Sequence, residues 1–415
     1  MENLKQFMLG LFQPNATMAT PAALVKLERN GQMEYGTLSY GRRYLQTHAL
    51  RLHPDPDIAK PISDLLPLSL RDDGALPPYV LDSLPDTWGR LVVATANPGV
   101  AMDNIELLKR TNANRVGAVV VMHDQPETQA TMSLAELFEG AMNIQYAIDV
   151  PADIRRLLTL GGSLGGARPK ASLMHNGALW LAKFAMREDT FDCQRVEAAT
   201  LSLAKKCGLR CSEFETQTVH RSTALLVKRF DRQQTADGEC RIHFLSGSGL
   251  LNLPFKSGMG SYVELAKALT RFGSAPAQDC QELFRRMLFN ILIDNTDDHL
   301  KNHGFLHDDK GKYRLAPLYD VLPQATGHGY MGLALVGNND APSIADLQAN
   351  AHAFHLRPPE VIPIFEALLR QIQTQWQSTM LEEDVEPRDL ARLARTLAPL
   401  HQRWQARLRD ADAVN

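Results

Sequence analysis

Residues 293–302, with the sequence IDNTDDHLKN, follow the apolar run FRRMLFNILI and carry three acids, a histidine and a lysine. Asp297 precedes Asn302 by five residues. This is the spacing of the protein-kinase catalytic loop, in which the Asp accepts the hydroxyl proton and the Asn holds a metal ion. The His-Arg that usually precedes the Asp is replaced here by Asn295-Thr296. The spacing indicates phosphoryl transfer if the chain also supplies the other parts.

A second candidate metal ligand, Asp320, lies 18 residues after Asn302 in LAPLYDVLP, without the Phe-Gly that follows the corresponding kinase aspartate. Few and hard oxygen ligands suit Mg²⁺ that is shared with a nucleotide. Lys301, between the base and the metal ligand, is predicted to neutralise charge on the transferring phosphoryl group. His299 either contacts the nucleotide or serves as a hydrogen-bonded scaffold residue.

A glycine-rich stretch, LGGSLGGARPK at residues 160–170, precedes a predicted strand. Its spacing fits neither a Walker A loop nor a dinucleotide fingerprint. Its four glycines allow close backbone approach, and Arg168 and Lys170 add positive charge, which suits a loop that covers phosphates. A flexible turn is the alternative interpretation.

Lys183 lies in the apolar strand LWLAKFAM, and Glu197 follows 14 residues later at the start of a helix. A strand lysine paired with a helix glutamate holds the α- and β-phosphates in protein kinases. The alternatives are a lysine that extends to solvent at a strand edge and a glutamate that stabilises the first helical turn. Both readings of Glu197 are compatible.

Composition limits the function classes. The 415 residues are 44% hydrophobic and 22% charged, which is typical of a globular protein of two or three domains. A net charge of −3 indicates no global affinity for nucleic acid or anionic membranes. Cys207 and Cys211 lack the second pair that a zinc site needs, so reduced thiols are the default. Without a signal peptide or an 18-residue apolar run, we expect a cytoplasmic protein with no membrane contact.

The pattern of predicted elements changes along the chain. Asn30-Gly31 and Asn176-Gly177 predict hairpin turns, and VEAATLSLAKKCGL predicts a helix that stops at Gly208. Helical periodicity dominates after about residue 260. We therefore predict an N-terminal β-rich subdomain with helices at 1–150, a nucleotide-binding lobe with the glycine-rich loop at 151–235, and a helical lobe with the catalytic and metal-binding loops at 236–415.

Several segments together resemble one family. GGSLGGARPKA, VKRFDR, NTDDHLKNHGF and LAPLYDV, with PDTWGR and NRVGAV nearer the N-terminus, are similar to HipA-type serine/threonine kinases. These kinases are the toxins of bacterial HipBA toxin–antitoxin modules. The resemblance covers most of the chain. It implies an α+β, two-lobed protein-kinase-like fold with an extra N-terminal β-rich subdomain and a mostly α-helical C-terminal lobe.

The resemblance also implies roles for individual residues. Asp297 is implied as the catalytic base, and Asn302 and Asp320 as Mg²⁺ ligands. Ser163 corresponds to an autophosphorylation site that acts as an off-switch, and Glu197 to the ion-pair partner of Lys183. The residues implied to bind the nucleotide are Gly165, Gly166, Ala167, Arg168, Pro169, Lys170, Lys183, Lys228, Arg229, Phe230, His299, Asn302 and Tyr319.

The implied cofactors are ATP and Mg²⁺, and the implied target is a translation component such as an aminoacyl-tRNA synthetase. The implied partner is a HipB-like helix-turn-helix antitoxin, through which alone the kinase meets operator DNA. Two alternatives stay open. A metal-dependent hydrolase could use Asp297, Asp298, His299 and Asp320 to activate water, although it leaves Lys183 without a role. A non-catalytic, antitoxin-binding co-repressor is the other.

Overall fold

The computed structural model describes residues 5–30, 33–58, 66–69, 76–111, 114–122, 132–146, 168–254, 258–327 and 329–412. The predicted phosphate-loop residues Ser163, Gly165, Gly166 and Ala167 lie outside these ranges. Their predicted roles therefore stay predictions.

The N-terminal region contains a five-stranded antiparallel sheet in the order β4-β3-β2-β1-β5. Its strands are β1 (Lys5–Phe12), β2 (Ala19–Asn30), β3 (Met33–Tyr40), β4 (Leu66–Ser69) and β5 (Val119–Val121). Asn30 pairs with Met33, which confirms the hairpin predicted from Asn30-Gly31. Alternate residues of β1, namely Phe7, Leu9 and Leu11, point into the main hydrophobic core.

Five helices accompany this sheet in the described part of the N-terminal region. They are α1 (Arg42–Thr47), α2 (Pro78–Leu81), α3 (Thr87–Ala96), α4 (Asn104–Arg110) and α5 (Leu134–Gln145). Two of them begin with side-chain caps that the sequence supplies. Asp103 accepts hydrogen bonds from the first turn of α4, and Ser133 forms a reciprocal capping box with Glu136 at the start of α5.

A second antiparallel sheet, in the order β6-β7-β9-β8, carries the predicted strand lysines. Its strands are β6 (Lys170–His175), β7 (Ala178–Lys183), β8 (Phe214–Val219) and β9 (Ser222–Lys228). Asn176 and Gly177 both have positive φ, as a tight two-residue hairpin turn requires, so the second predicted hairpin is also confirmed. Helix α6 (Cys193–Lys206) begins after the N-cap Asp192 and ends just before Gly208, whose φ is +75°.

The remainder of the described chain is mostly helical. Its strands are β10 (Arg232–Thr235), β11 (Gly238–Arg241), β12 (Phe244–Ser246), β13 (Gly304–His307) and β14 (Tyr313–Leu315). Its α-helices are α7 (Gly247–Leu251), α8 (Tyr262–Phe272), α9 (Pro276–Leu292), α10 (Ile344–Ala349), α11 (Val361–Glu382) and α12 (Pro387–Asp412). Short 3-10 turns lie at Leu300–Asn302, Ala351–Phe354 and Pro358–Glu360. The helical prediction beyond residue 260 is confirmed.

The second sheet buries one of its faces against the N-terminal region. Trp88 of α3 and Phe138 of α5 share a core with Trp180, Phe184 and Leu226 of the sheet region. The rings of Phe138 and Phe184 meet edge to face, with centroids 5.7 Å apart. Hydrophobic packing therefore crosses residue 150, where we predict a domain boundary. That boundary stays a prediction.

A buried charge network also joins these two regions. Asp231 accepts hydrogen bonds from the guanidinium groups of Arg229 and Arg232, each at 2.7 Å, and from the backbone N–H of Gly117 at 2.7 Å. Arg229 also donates to the carbonyl of Asn114 at 2.8 Å. Burial alone would raise the pKa of Asp231, but the two guanidinium groups hold it well below its usual value. This network fixes the chain after β9 against residues 114–117.

Two sequence expectations concern the chain as a whole. In the ranges that the structure describes, no helix has the length and apolar character needed to cross a bilayer. The five cysteines, all of which lie in described ranges, form no disulfide with one another.

Candidate active site

Lys183, at the end of β7, is the centre of the site. Its Nζ donates to Glu197 Oε1 at 2.6 Å and to Asp320 Oδ1 at 2.9 Å. Glu197 projects from α6, which packs on the sheet face that carries Leu225 and Val227. Two residues that are 137 positions apart in sequence, Lys183 and Asp320, are thereby brought into direct contact.

Electrostatics stabilise the charged forms of Lys183 and Asp320. Burial alone would lower the pKa of Lys183, but the carboxylates of Asp320 and Glu197 outweigh it and raise that pKa above its usual value. The charge of Lys183 lowers the pKa of Asp320 well below its usual value. Burial raises the pKa of Glu197, and Lys183 opposes that shift. The site therefore holds a fixed ammonium ion between two carboxyl groups.

Lys170 adds a second buried cation. It lies directly opposite Lys183 in the β6–β7 register and is 5% exposed. Burial lowers its pKa, while Asp320 raises it. The indole Nε1 of Trp88 donates to the Lys170 carbonyl at 2.9 Å, which ties β6 to the N-terminal region. Asp320 thus contacts Lys183 directly and interacts electrostatically with Lys170.

Only the last residues of the predicted phosphate loop, from Arg168 onward, are described. The Arg168 guanidinium donates to both carboxylate oxygens of Asp189, at 2.8 and 2.9 Å. The Pro169 carbonyl accepts from the backbone N–H of Phe184 at 2.8 Å, which extends the β6–β7 pairing by one bond. Arg168 is therefore engaged with protein, and its predicted nucleotide role stays a prediction.

The catalytic-loop segment follows the end of α9. Asn295 is held by Asn290, whose Oδ1 accepts from Asn295 Nδ2 at 3.1 Å. Asp297 is exposed, whereas Asp298 is buried between the Tyr262 hydroxyl and His303 Nε2. Neighbouring acids therefore have different environments. Asp297 faces solvent, where an acceptor hydroxyl can reach it, and Asp298 anchors the loop.

Although the Asp297 side chain is exposed as a whole, neighbouring protein displaces part of the water around its carboxyl group and raises its pKa, and His299 opposes that shift. The carboxylates of Asp320 and Asp298 raise it further. A carboxylate with a raised pKa is a better proton acceptor than a free one. His299 also lowers the pKa of Asp320, so this one side chain interacts electrostatically with both candidate functional acids.

Asn302 and Asp320 are the predicted metal ligands. Asn302 donates from Nδ2 to the Asp297 carbonyl at 3.3 Å, which turns its amide nitrogen towards the backbone and its oxygen away from it. Asp320 has a left-handed φ of +59° and leaves 43% of its side chain exposed. The Asp320 carboxylate in contact with the buried Lys183 fits a Mg²⁺–nucleotide, since the carboxylate oxygen suits the metal and the lysine suits the phosphates. The metal role of Asn302 stays a prediction.

Lys301 is paired with the N-terminal region. Its Nζ lies 2.5 Å from Asp86 Oδ1, and its carbonyl accepts from the Tyr319 hydroxyl at 2.7 Å. Nearby, Asp82 accepts from the backbone N–H and hydroxyl of Ser246, at 2.8 and 2.6 Å. Burial raises the pKa of Asp82 to about 6. Residues 82–86 therefore dock beside the catalytic loop.

Lys228, Arg229 and Phe230, at the end of β9 and just after it, are the residues predicted to lie beside the adenine. Phe230 lies with its ring centroid 5.6 Å from Tyr319 and 6.2 Å from Phe244, so the predicted adenine side has an aromatic lining. Lys228 pairs with Glu213 at 2.7 Å. Arg229 lies in the buried Asp231 network, apart from the Lys183 group. The nucleotide roles of these residues stay predictions.

The arrangement favours phosphoryl transfer over the hydrolase alternative. That alternative uses Asp297, Asp298, His299 and Asp320 together, but the carboxylate of Asp298 contacts Tyr262 and His303 instead. Sequence reasoning missed Asp86, Tyr262 and Asp294 as supports of the loop. Asp86 carried a signal, since PDTWGR contributes to the family resemblance.

The two-lobed α+β fold, the strand lysine with its helix glutamate, and the exposed loop aspartate define a protein with a kinase-like architecture. The HipA-like C-terminal domain family matches residues 162–376, which is slightly more than half of the 415 residues. The chain therefore belongs to the HipA-like C-terminal domain family, and the resemblance inferred from its motifs is confirmed.

Three similar proteins share 25 to 28% sequence identity with this chain over the aligned residues. "Putative kinase Y4mE" of Sinorhizobium fredii is 28% identical over 276 residues, which cover 59% of this chain and 63% of the relative. "Putative kinase" of Haemophilus influenzae is 26% identical over 184 residues, which cover 39% of this chain and 52% of the relative. The chain thus spans less than two thirds of both. Serine/threonine-protein kinase toxin HipA of Shewanella oneidensis is 25% identical over 345 residues, covering 74% of this chain and 76% of the toxin.

The solved structure of Shewanella oneidensis HipA with HipB and operator DNA has the same fold. The TM-score is 0.70 at 18% identity, with 99% of this chain and 100% of that chain covered. This confirms the predicted two-lobed, kinase-like α+β fold.

Proposed function

We propose that the protein is an ATP- and Mg²⁺-dependent serine/threonine protein kinase that acts as the toxin of a toxin–antitoxin module. The contact of Lys183 with both Glu197 and Asp320 carries this proposal. It reproduces the ion pair and the metal-binding aspartate that protein kinases bring together. The exposed Asp297 supplies the base, and the family membership supports the toxin role.

Each group has a stated task in the proposed reaction. Lys183 and Lys170 bind phosphate oxygens, and Asn302 and Asp320 would hold Mg²⁺, which when bound neutralises charge on the transferring phosphoryl group. Asp297 orients the acceptor hydroxyl and accepts its proton. Little covalent work is required, because phosphoryl transfer depends mainly on positioning and charge stabilisation.

The proposed partners follow from the relatives. A HipB-like helix-turn-helix antitoxin would bind this chain, and operator DNA would be reached through that antitoxin. The named complex of Shewanella oneidensis HipA with HipB and DNA supports this proposal by fold similarity. The proposed protein substrate is a translation component such as an aminoacyl-tRNA synthetase.

Growth inhibition tests the proposal. Overproduction of the chain should slow bacterial growth, and Lys183→Ala, Asp297→Asn and Asp320→Ala should each relieve the inhibition. Any one of these changes removes part of a unit whose members act non-additively. If all three variants inhibited growth as strongly as the parent at equal abundance, harm would arise from binding, as in the co-repressor alternative.

Nucleotide affinity gives a second test. Asp320→Ala should weaken ATP binding in the presence of Mg²⁺, because it removes one of the few hard metal ligands. Calorimetric titration of both proteins with ATP, with and without Mg²⁺, measures the effect. Equal affinities with Mg²⁺ present would contradict the metal role of Asp320.

Self-phosphorylation at Ser163 is the proposed off-switch. A phosphate adds about −1.5 to −2 charges at neutral pH. In a loop that closes over ATP phosphates, this charge would repel the nucleotide. Incubation with Mg-ATP, followed by peptide mass spectrometry, should show slow modification of Ser163 that is absent from Asp297→Asn. An unmodified Ser163, or a phosphorylated protein that still binds ATP normally, would refute the switch.

A further inference from the structure

Asp294, just before the catalytic loop, has an unusual backbone and a demanding set of partners. It is 3% exposed and has a left-handed φ of +57°. A residue other than glycine seldom adopts this conformation, and such residues concentrate at functional sites. Two further non-glycine residues with positive φ, Asp320 and Ala325, follow in the segment that Asp294 contacts.

One carboxylate oxygen of Asp294 accepts three hydrogen bonds from residues 326 and 327. Oδ2 accepts from the backbone N–H of Thr326 at 2.6 Å, from that of Gly327 at 2.9 Å and from the Thr326 hydroxyl at 3.2 Å. The Asp294 carbonyl accepts from the N–H of Gln324 at 3.0 Å. Successive N–H groups in such a turn form a concave site for an anion, and here that anion belongs to the protein.

The same segment touches the catalytic loop again a few residues later. A Cβ at Gly332 would lie 2.5 Å from the Thr296 carbonyl oxygen and 2.3 Å from that of Asp298. Only glycine permits this approach. The segment after Asp320 is therefore hydrogen-bonded to Asp294, before Asp297, and Gly332 passes close to the carbonyls of Thr296 and Asp298 on either side of it.

We propose that Asp294 is a positioning residue: its Oδ2 holds residues 324–327 so that Asp320 and the catalytic loop keep one mutual arrangement. This rests on the proposed kinase function. The lock is formed by the folded chain alone, without phosphorylation of the segment. Because Lys183 holds Asp320 independently, loss of the lock should slow transfer more than it weakens ATP binding.

Three variants isolate the carboxylate. Asp294→Gly removes it while keeping a residue for which positive φ is unstrained. Asp294→Asn keeps an acceptor oxygen and tolerates positive φ, so it should rescue the lock. Asp384→Gly is the matched control: Asp384 also has a φ of +57°, but its side chain is 88% exposed in the turn between α11 and α12.

Hydrogen–deuterium exchange tests the lock without using activity. In Asp294→Gly, the amides of Thr326 and Gly327 should exchange about fivefold faster, as expected for the loss of hydrogen bonds worth roughly 1 kcal/mol each. The amide of Gln324, which donates to the backbone carbonyl of residue 294, should keep its hydrogen bond and serves as an internal reference. Asp294→Asn and Asp384→Gly should exchange as the wild type does.

Kinetics test the positioning role, with radiolabelled Mg-ATP as donor and myelin basic protein as acceptor. In Asp294→Gly, kcat should fall about tenfold while the affinity and stoichiometry of ATP binding stay those of the wild type, and Asp294→Asn should restore kcat. Unchanged exchange overturns the lock, and an unchanged kcat with faster exchange overturns the positioning role. A loss of kcat in Asp384→Gly equal to that in Asp294→Gly also overturns the positioning role. A wild type that transfers no label to any protein, itself and the aminoacyl-tRNA synthetases included, overturns the proposed function, and exchange still decides the lock.

Discussion

Replacing Asp297 by Asn should reduce phosphate transfer by about two to four orders of magnitude, the range that general-base catalysis contributes. Asn keeps the shape of the side chain but cannot accept the hydroxyl proton. Since Asp297 is exposed, the fold loses little. Transfer of labelled phosphate from Mg-ATP, measured together with the thermal midpoint, checks both parts of this expectation.

The neighbouring acid provides the control. Asp298 is 4% exposed and contacts the Tyr262 hydroxyl and His303. Asp298→Asn should therefore lower the free energy of unfolding by about 1 to 3 kcal/mol, as expected when buried hydrogen-bonding groups lose a partner. A wild-type rate in Asp297→Asn, or a lower thermal midpoint in that variant than in Asp298→Asn, would contradict the assignment of the two acids.

Replacing Lys183 by Met should abolish measurable transfer and also destabilise the fold. Glu197 would remain buried without its cation, and breaking a buried pair by removing one partner costs about 3 to 5 kcal/mol. The Lys183 and Glu197 side chains are 6% and 7% exposed, so solvent cannot replace the lost ammonium group. Urea unfolding and labelled-phosphate transfer measure the two effects separately.

A second change separates stability from function. Lys183→Met combined with Glu197→Gln should recover much of the lost stability, because no uncompensated charge stays buried, and it should recover no activity. The matched surface control is Arg357→Met, which breaks the ion pair between Arg357 and Glu360. The Arg357 side chain is 82% exposed. It should change neither property, as is usual for exposed pairs. If the double variant were as unstable as the single one, the Lys183–Glu197 charge argument would fail.

Local sequence patterns predicted the hairpin, the strand and the helix that carry the site residues, because these elements depend on the spacing of neighbouring residues. Asn176-Gly177 fixed the β6–β7 hairpin, and this hairpin set Lys170 opposite Lys183. The strand and helix boundaries around Lys183 and Glu197 were readable from apolar runs and a C-terminal glycine. The contact of Asp320 with Lys183 spans 137 residues, and only the kinase motif pointed to it.

The supports of the site were not predictable in this way. Lys301 and Asp86 are 215 residues apart, and their contact depends on how α3 packs against the catalytic loop. Arg229 illustrates the same limit. VKRFDR predicted a residue beside the adenine, and that role stays a prediction. The partners of its guanidinium, Asp231 and the carbonyl of Asn114, could not be inferred from the motif. Side-chain direction after the end of a strand follows from tertiary packing rather than from period-two alternation.

The buried Asp231 network limits which part of the chain can be transferred to another protein by gene fusion. All of the predicted nucleotide and metal residues lie in 163–320, yet Asp231 and Arg229 draw partners from Gly117 and Asn114. Without that preceding chain, Asp231 would keep its two guanidinium partners but lose a backbone donor, and Arg229 would lose a carbonyl acceptor. A gene fusion that transferred only the kinase-like segment would carry its chemistry without the groups that satisfy its buried charges. The smallest portion that can be transplanted therefore begins well before the glycine-rich loop.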